Sequence, residues 1–412
     1  MGADVVIAGG GVIGTAIAWR AALAGLDTVI VEPDADDPEH GRASSLVAAG
    51  MLAPASESLF GEGDLLRLNL LALRRFPDFA SELEAAAGEQ VGLRREGTLA
   101  IAYDAGDYAA LMRLTAFRRS AGLDAEELDS RACRKLEPFL TPDVHGGVRF
   151  ASDWSVDNRR YAAALRSAAR AAGARILPGR VAEVNPRDGG GWSVRLADSG
   201  AGGERNGGGT GGERSGDERA GGERIDCGQA VAAAGCWTSE IGGLPLALRA
   251  AIRPVKGQLL RLRQPAGLPP VLSHTIRATV RGTDIYLVPR ADGELVVGST
   301  QEERGDQLVT AGAVHDLLRD ALSVLPVTSE LELAEMCVGL RPGTADNGPI
   351  VGPVGDANGL LIASGHFRNG ILMSAATADA AMAYLTGQQP DPVWGAFTPG
   401  RIAGAGGEPW AF

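Results

Sequence analysis

The sequence predicts an α/β chain in two parts: a Rossmann-like parallel sheet, and a discontinuous α+β region built on an antiparallel sheet. Three observations carry this. The β-branched run Asp4–Ala8 leads into Gly9-Gly10-Gly11-Val12-Ile13-Gly14 and an alanine-rich helical stretch ending near Gly25. Thr28–Val31 then reads as a buried strand closed by Glu32, which completes a βαβ unit. Next, Arg253–Leu262, Asp284–Pro289 and Glu294–Ser299 alternate at period two, as in an antiparallel sheet with one wet face. Finally, the strand–loop–helix plan recurs near the C-terminus as Leu360–Ala363, Gly365–Gly370 and Ile371–Leu385.

The intervening elements follow from periodicity. Helical spacing marks Leu65–Ala87, Tyr108–Ala121, Tyr161–Ala172 and Val309–Leu325. Strand-like runs are Leu99–Ala102, Arg175–Leu177, Val181–Val184, Trp192–Leu196, Gln229–Ala234 and Leu333–Leu340, the last ended by Arg341-Pro342-Gly343. Between Leu196 and Gln229 the chain should turn at a hairpin, but Asp198–Arg224 intervenes with 11 glycines in 27 residues and a repeated Gly-Glu-Arg. Such a stretch has too little apolar surface to offset the entropy of ordering, so a flexible solvated loop is expected. Its 4 arginines face 6 acidic residues, which argues against an RNA-binding tract.

Composition narrows the function. A length of 412 residues suits about two to three domains, and the formal charge of −12 disfavours nucleic-acid or anionic-membrane surfaces. Cys133, Cys227, Cys236 and Cys337 are far apart, giving neither a zinc pattern nor a disulfide framework, and His40, His145, His274 and His315 show no ligand spacing. No metal is expected. The apolar stretch Val5–Trp19 is preceded by Asp4 and broken by glycines, unlike a signal peptide, and no run reaches the ~18 apolar residues of a membrane span. Val6 stands where myristoylation requires Ser or Thr. A cytoplasmic location is expected.

Gly9-x-Gly11-x-x-Gly14, set between a strand and a helix, is the pattern that lets backbone N–H groups approach a pyrophosphate at a helix N-terminus. Glu32 is placed to accept ribose hydroxyls and would repel a 2′-phosphate, which disfavours NADP. The small residues of Arg42–Met51 would let backbone approach a flat ring, although an ordinary glycine-rich loop would look the same. In Ser364–Ile371 a glycine loop, a helix N-terminus and Arg368 fall together, an arrangement able to stabilise an anion. Arg341, stiffened by Pro342, could present a guanidinium fork to a carboxylate, and Tyr286 could add a phenolic hydrogen bond. On spacing alone each favours a structural role, because core tyrosines and ion-paired arginines are common.

Together these segments, with Pro254-Val255-Lys256-Gly257, Tyr286-Leu287-Val288-Pro289-Arg290, Gly339–Thr344 and Gly365–Leu372, resemble the D-amino-acid-oxidase-like FAD-dependent oxidoreductases, and most closely their glycine oxidase (ThiO-type) branch. The resemblance implies non-covalent FAD, since no cysteine stands in the Gly365–Leu372 loop where covalent attachment would need one. It implies an FAD domain of residues 1–91, 150–250 and 337–390, a substrate domain of 92–149 and 251–336, and a tail of 391–412. Arg341 would bind the substrate carboxylate with help from Tyr286, and Arg368 would lie beside flavin and substrate. Gly9, Gly11, Val12, Ile13, Gly14, Glu32, Pro33, Ser44, Ser45, Ala49, Gly50, Met51, Val181 and the loop residues His366, Phe367, Arg368, Asn369, Gly370, Ile371 and Leu372 would hold the cofactor.

The reaction implied is hydride transfer from the α-carbon of glycine or another small amino acid to flavin N5. Reoxidation by O2 would give H2O2, and the imine would serve thiazole synthesis for thiamine or hydrolyse to a 2-oxo acid. Sarcosine or a D-amino acid as substrate, a dehydrogenase with another acceptor, and a non-catalytic flavin subunit are the alternatives. The partners implied are a small amino acid and O2, with room for a homo-oligomer and without nucleic acid or membrane. Asp284 departs from expectation, because an anion two residues before Tyr286 would oppose a carboxylate.

Overall fold

The computed structural model describes residues 2–37, 41, 43–198, 222–267, 269–355 and 359–403. Its first sheet has a parallel centre in the order β18 (Leu360–Ser364), β11 (Arg224–Ala232), β1 (Gly2–Ala8), β2 (Thr28–Glu32) and β8 (Arg175–Pro178). The strand β17 (Ile350–Pro353) runs antiparallel beside β18, and the hairpin of β9 (Val181–Pro186) and β10 (Trp192–Leu196) joins through β11. Strand β2 is buried on both faces, which explains its unbroken apolar run. The helices Val12–Leu23, Gly63–Ala87, Asn158–Ala171 and Gly370–Leu385 pack one face around Ile7, Trp19, Phe76, Phe79 and Tyr161. Val184, Trp192, Val194, Leu244 and Leu248 cover the other.

The second sheet has the order β16 (Glu332–Gly343), β12 (Arg253–Arg263), β15 (Glu294–Gly298), β14 (Thr283–Pro289), β13 (Thr275–Val280), β4 (Thr98–Ala102), β6 (Gly146–Phe150) and β5 (Glu126–Asp129). A short ribbon of β3 (Met51–Leu52) and β7 (Trp154–Ser155) completes the pairing.

Several expectations need correction. The second sheet is not wholly antiparallel, since β13 and β4 run parallel. It also has no wet face at its centre. Leu260, Leu262, Leu287 and Val297 pack with Leu317 and Ala321 of the Ala311–Val324 helix, while Leu259, Val288, Val296 and Cys337 on the reverse meet Ala49. The expected boundary at residue 337 cuts through β16, which pairs with β12 as far as Gly343, so Arg341 and Pro342 lie within the strand rather than beyond it. The boundary at 149/150 likewise divides β6, whose Phe150 pairs with Thr98.

The hairpin expected around the insert is present, with Arg195 opposite Arg224 and the Leu196 N–H donating to Glu223 O. Residues 199–221 lie outside the described residues, as do Trp410 and Phe412 of the tail. The tail docks: Trp394 and Phe397 are buried in the first core, edge to face with centroids 6.4 Å apart. Among the described residues no helix is long and apolar enough to cross a membrane.

Because Trp394 fills the first core, Trp394→Ala should lower the unfolding free energy by about 3 kcal/mol or more in urea titrations. A loss below about 1 kcal/mol would mean the tail is peripheral to that core.

Candidate active site

The carboxyl ends of the parallel strands and one face of the second sheet line a cavity of about 1540 Å³, larger than a drug-sized ligand requires. At one end it is lined by Glu32, Pro33 and Val181, in its middle by Gly9, Gly11, Val12 and Ile13, and at the far end by Tyr286, Arg341 and Arg368.

Two helix N-termini point into this space, Val12–Leu23 and Gly370–Leu385, each offering N–H groups without intrahelical partners and roughly half a positive charge. The glycines that open the first helix have separate tasks. A Cβ on Gly9 would stand 2.6 Å from the Ala233 carbonyl, and one on Gly14 would stand 1.9 Å from Gly9 O. Gly14 therefore allows strand and helix to touch and does not itself line the cavity. Glu32 is buried beside them and accepts from the N–H groups of Gly10, at 2.5 Å, and Asp34, at 3.3 Å. Burial raises its pKa, and those two donors oppose the rise.

The segment Ser44–Met51 forms the next wall, with Ser44, Ser45, Ala49, Gly50 and Met51 all in the lining. Gly50 has φ +73 and a Cβ there would meet Val156 O at 2.0 Å, so this backbone passes against its neighbour with no room for a side chain. Arg290 fixes the crossing, donating to Ala49 O at 2.6 Å, Val156 O at 2.9 Å and Asn158 Oδ1 at 3.1 Å. Burial lowers its guanidinium pKa to about 10.

In the C-terminal loop His366, Phe367, Arg368, Gly370 and Ile371 line the cavity, whereas Asn369 and Leu372 do not. Asn369 is buried and precedes the helix, its N–H bound to His366 O, and Leu372 packs into the first core. Both therefore stand behind the lining residues and support the loop. Phe367 has φ +46 and its N–H donates to Pro342 O, which ties the loop to β16. His366 is fully enclosed, its Nε2 lying 3.0 Å from Thr377 Oγ1, and burial lowers its pKa to about 3. It is a neutral imidazole.

The far end is one face of the second sheet. The pairings Gly257↔Gly339, Leu259↔Gly298, Gly298↔Tyr286 and Arg277↔Tyr286 place these residues on the same side, together with Arg341 two positions beyond Gly339. A Cβ on Gly257 would come within 2.3 Å of the Arg341 guanidinium, and one on Gly298 within 2.4 Å of the Tyr286 hydroxyl. Arg341 and Tyr286 thus recline from the flanking strands onto two adjacent central ones, over a floor of bare backbone.

The electrostatics differ from a simple pocket of arginines. Arg277 pairs with Glu57 at 2.7 Å, and Arg368 with Glu62 at 3.3 Å while also donating to Glu57 O. Arg341 donates instead to Ser299 Oγ at 2.6 Å and Thr300 O at 3.2 Å. Among the described cavity arginines it is the one without a carboxylate partner. Asp284 does line the cavity, but it is exposed and accepts from Thr279 Oγ1 at 2.8 Å. Glu57 and Arg277 were not singled out from the sequence. Glu57 sits in a four-residue helix without periodicity, and Arg277 became informative only through its register with Tyr286.

A family model described as FAD dependent oxidoreductase matches residues 4–385. The chain belongs to that family. It is 31% identical over 402 residues to a bifunctional ThiO/ThiG protein of Synechocystis, covering 97% of this chain and 54% of that protein, so it spans about half the length of that relative. It is 31% identical to a glycine oxidase of Geobacillus kaustophilus, covering 91% of this chain and 90% of the relative. The crystal structure of glycine oxidase from Geobacillus kaustophilus superposes with a TM-score of 0.81 at 28% identity, over 96% of this chain and 98% of that one.

The lining fits FAD, the family's cofactor. Buried Glu32 suits the ribose hydroxyls, the Val12 helix N-terminus the pyrophosphate, and Ser44–Met51 with Gly370–Ile371 the isoalloxazine ring. No cysteine lines the cavity among the described residues, and the four thiols are buried with pKa values raised by burial to about 11 or 12.

Protonation of His366 is easier in the unfolded chain, near pH 6.5, than in the folded one, near 3. The unfolded state therefore binds more protons between these values, and His366 makes stability fall as pH falls, by at most about 1.4 kcal/mol per unit. Thermal unfolding from roughly pH 7 to 4 should show the stability margin of the native protein over His366→Gln shrinking with acidity. A margin constant across that range would contradict a buried neutral imidazole.

Proposed function

We propose that this chain oxidises glycine and other small amino acids with non-covalent FAD, yields an imine that hydrolyses to a 2-oxo acid, and passes the electrons to O2 as H2O2. The observation that carries this reading is the convergence of Arg341, which has no carboxylate partner among the described residues, with the Tyr286 hydroxyl above the Gly257–Gly298 floor. A guanidinium fork and a phenol set side by side suit one carboxylate. When bound, FAD supplies the acceptor for the two electrons and the proton carried as hydride from the α-carbon.

The chain's own residues orient and neutralise. Arg341 and Tyr286 would anchor the carboxylate, and the Ser299 hydroxyl keeps the Arg341 fork in place. Neither Arg277 nor Arg368 has charge to spare, so the pocket beyond the α-carbon suits a small neutral group. Among the described residues the Arg341 fork is held by the Ser299 hydroxyl and the Thr300 carbonyl, neither of which is a general base. His366 is neutral but engaged by Thr377, which agrees with an amine that enters already deprotonated. The ThiO/ThiG relative supports a place in thiamine thiazole biosynthesis, where the imine of glycine would be consumed.

Anaerobic glycine should bleach the flavin, and readmitted air should restore it with one H2O2 per cycle. A flavin untouched by glycine would overturn the substrate, and restoration without peroxide would overturn the acceptor. Arg341→Ala should lower kcat/KM for glycine roughly a hundredfold while FAD stays bound, with Arg341→Lys recovering part of the loss. Full efficiency in the alanine variant would remove Arg341 from the carboxylate site.

Gly298→Ala tests the floor itself. The new methyl displaces the Tyr286 hydroxyl, so KM for glycine should rise about five- to tenfold without loss of cofactor, and an unchanged KM would show that Tyr286 does not touch substrate.

A further inference from the structure

Beyond Tyr286 the same sheet face carries a second guanidinium. Arg277 on β13 is the registered partner of Tyr286 on β14 and lines the cavity with it. Its Nη1 lies 2.7 Å from Glu57 Oε1, and the Glu57 side chain is 9% exposed. Glu57 ends the helix Pro54–Glu57, which is held at both ends by buried charges. Asp153 accepts from the Ala55 and Ser56 N–H groups at 2.9 Å each, and Arg118 donates to the carbonyls of Ser56 and Ser58. Glu57 is therefore a fixed carboxylate placed against Arg277, not a mobile surface residue that happens to lie near it.

We propose that Glu57 is a specificity-determining residue that masks Arg277, a latent second carboxylate site, so that the enzyme takes neutral small amino acids and rejects acidic ones. The proposal rests on the reading of Arg341 as the first carboxylate site. With Arg277 and Arg368 already matched by Glu57 and Glu62, and Asp284 at the rim, a second acidic group would meet at least as much negative as positive charge. Asp284, two residues before Tyr286 on β14 and opposite Thr279, lines the cavity and adds a further negative charge against a second acidic group. Removing the Glu57 charge would leave Arg277 beside Tyr286 as an open anion site.

The test uses ligands that cannot be oxidised, so that it stands apart from glycine turnover. Acetate reports on the first site, and malonate and succinate report on both, each titrated into the FAD-loaded protein by the shift in flavin absorbance. In Glu57→Gln the affinity of the better dicarboxylate relative to acetate should rise about ten- to hundredfold, as expected for a newly available charge-assisted hydrogen bond. In Glu57→Gln/Arg277→Gln that gain should vanish. An unchanged ratio in the single variant, or a gain that survives in the double variant, overturns the proposal.

Arg277→Gln supplies an independent arm should Glu57→Gln fail to hold FAD. It leaves the Glu57 carboxylate without its closest partner, so the dicarboxylate-to-acetate ratio should fall several-fold below that of the native protein. A ratio equal to the native value overturns the proposal. Failure of glycine to bleach the native flavin would count against the function proposed above while leaving these binding ratios readable.

Discussion

The structure depends on backbone approaching backbone, or a functional side chain, where no Cβ can fit. Gly14 lets the first helix rest on the first strand, Gly50 lets the wall of the cavity cross Val156, and Gly257 and Gly298 let Arg341 and Tyr286 lie flat on the second sheet. Each contact would be closed by a methyl group at 1.9 to 2.4 Å. A long cavity between two sheets is otherwise unstable, because ordinary side chains from both walls would fill it. Here the walls are thinned to main chain where a flat or extended ligand passes, and the helix termini beside them provide the compensating partial charge.

Thin walls need anchoring from outside the cavity, and buried charges supply it. Arg290 clamps Ala49 and Val156 from the second sheet, and Arg261 bonds to Leu46 O and Glu294 nearby. Asp153 and Arg118 perform the same task for the helix that carries Glu57. Burying such ions is costly unless every lobe is satisfied, and an isolated apolar replacement would often serve stability better. Their value lies in geometry: each holds carbonyls or N–H groups of a segment too short to position itself by periodicity. The formal charge of −12 conceals this arrangement, since Arg277 and Arg368 at the cavity are each matched by a carboxylate while Arg341 is not.

Legibility in the sequence followed element length and the locality of the signal. The βαβ unit was readable because Asp4–Glu32 carries strand, glycine turn and helix within one short span. The long helices were readable from their apolar spacing. The Ser44–Val47 and Pro54–Glu57 helices were not, having fewer residues than two turns, and Glu57 was lost with them. The wet face expected for the second sheet failed for another reason: residues such as Gly257, Arg277, Gly339 and Arg341 break the apolar pattern because they face a cavity, and polarity alone cannot distinguish a cavity from solvent. Arg341 and Tyr286 are 55 positions apart in sequence and gained meaning only when register placed them on the two strands that flank β12 and β15.

The same register explains how one sheet face can select a small amino acid by its single carboxylate. Tyr286 stands between two guanidinium groups that are chemically alike and electrostatically different. On the β12 side lies Arg341, satisfied only by a hydroxyl and carbonyls and therefore able to gain from a carboxylate. On the β13 side lies Arg277, already neutralised by a carboxylate of the chain itself. A substrate with one carboxylate and a compact neutral remainder gains the first interaction and disturbs nothing at the second. Larger or acidic groups must compete with Glu57, whose helix is fixed by Asp153 and Arg118 and cannot swing aside at low cost. Selectivity then comes from which positive charge the protein leaves available, and that choice is made by Glu57, which stands just past the Ser44–Met51 wall and belongs to no motif of its own.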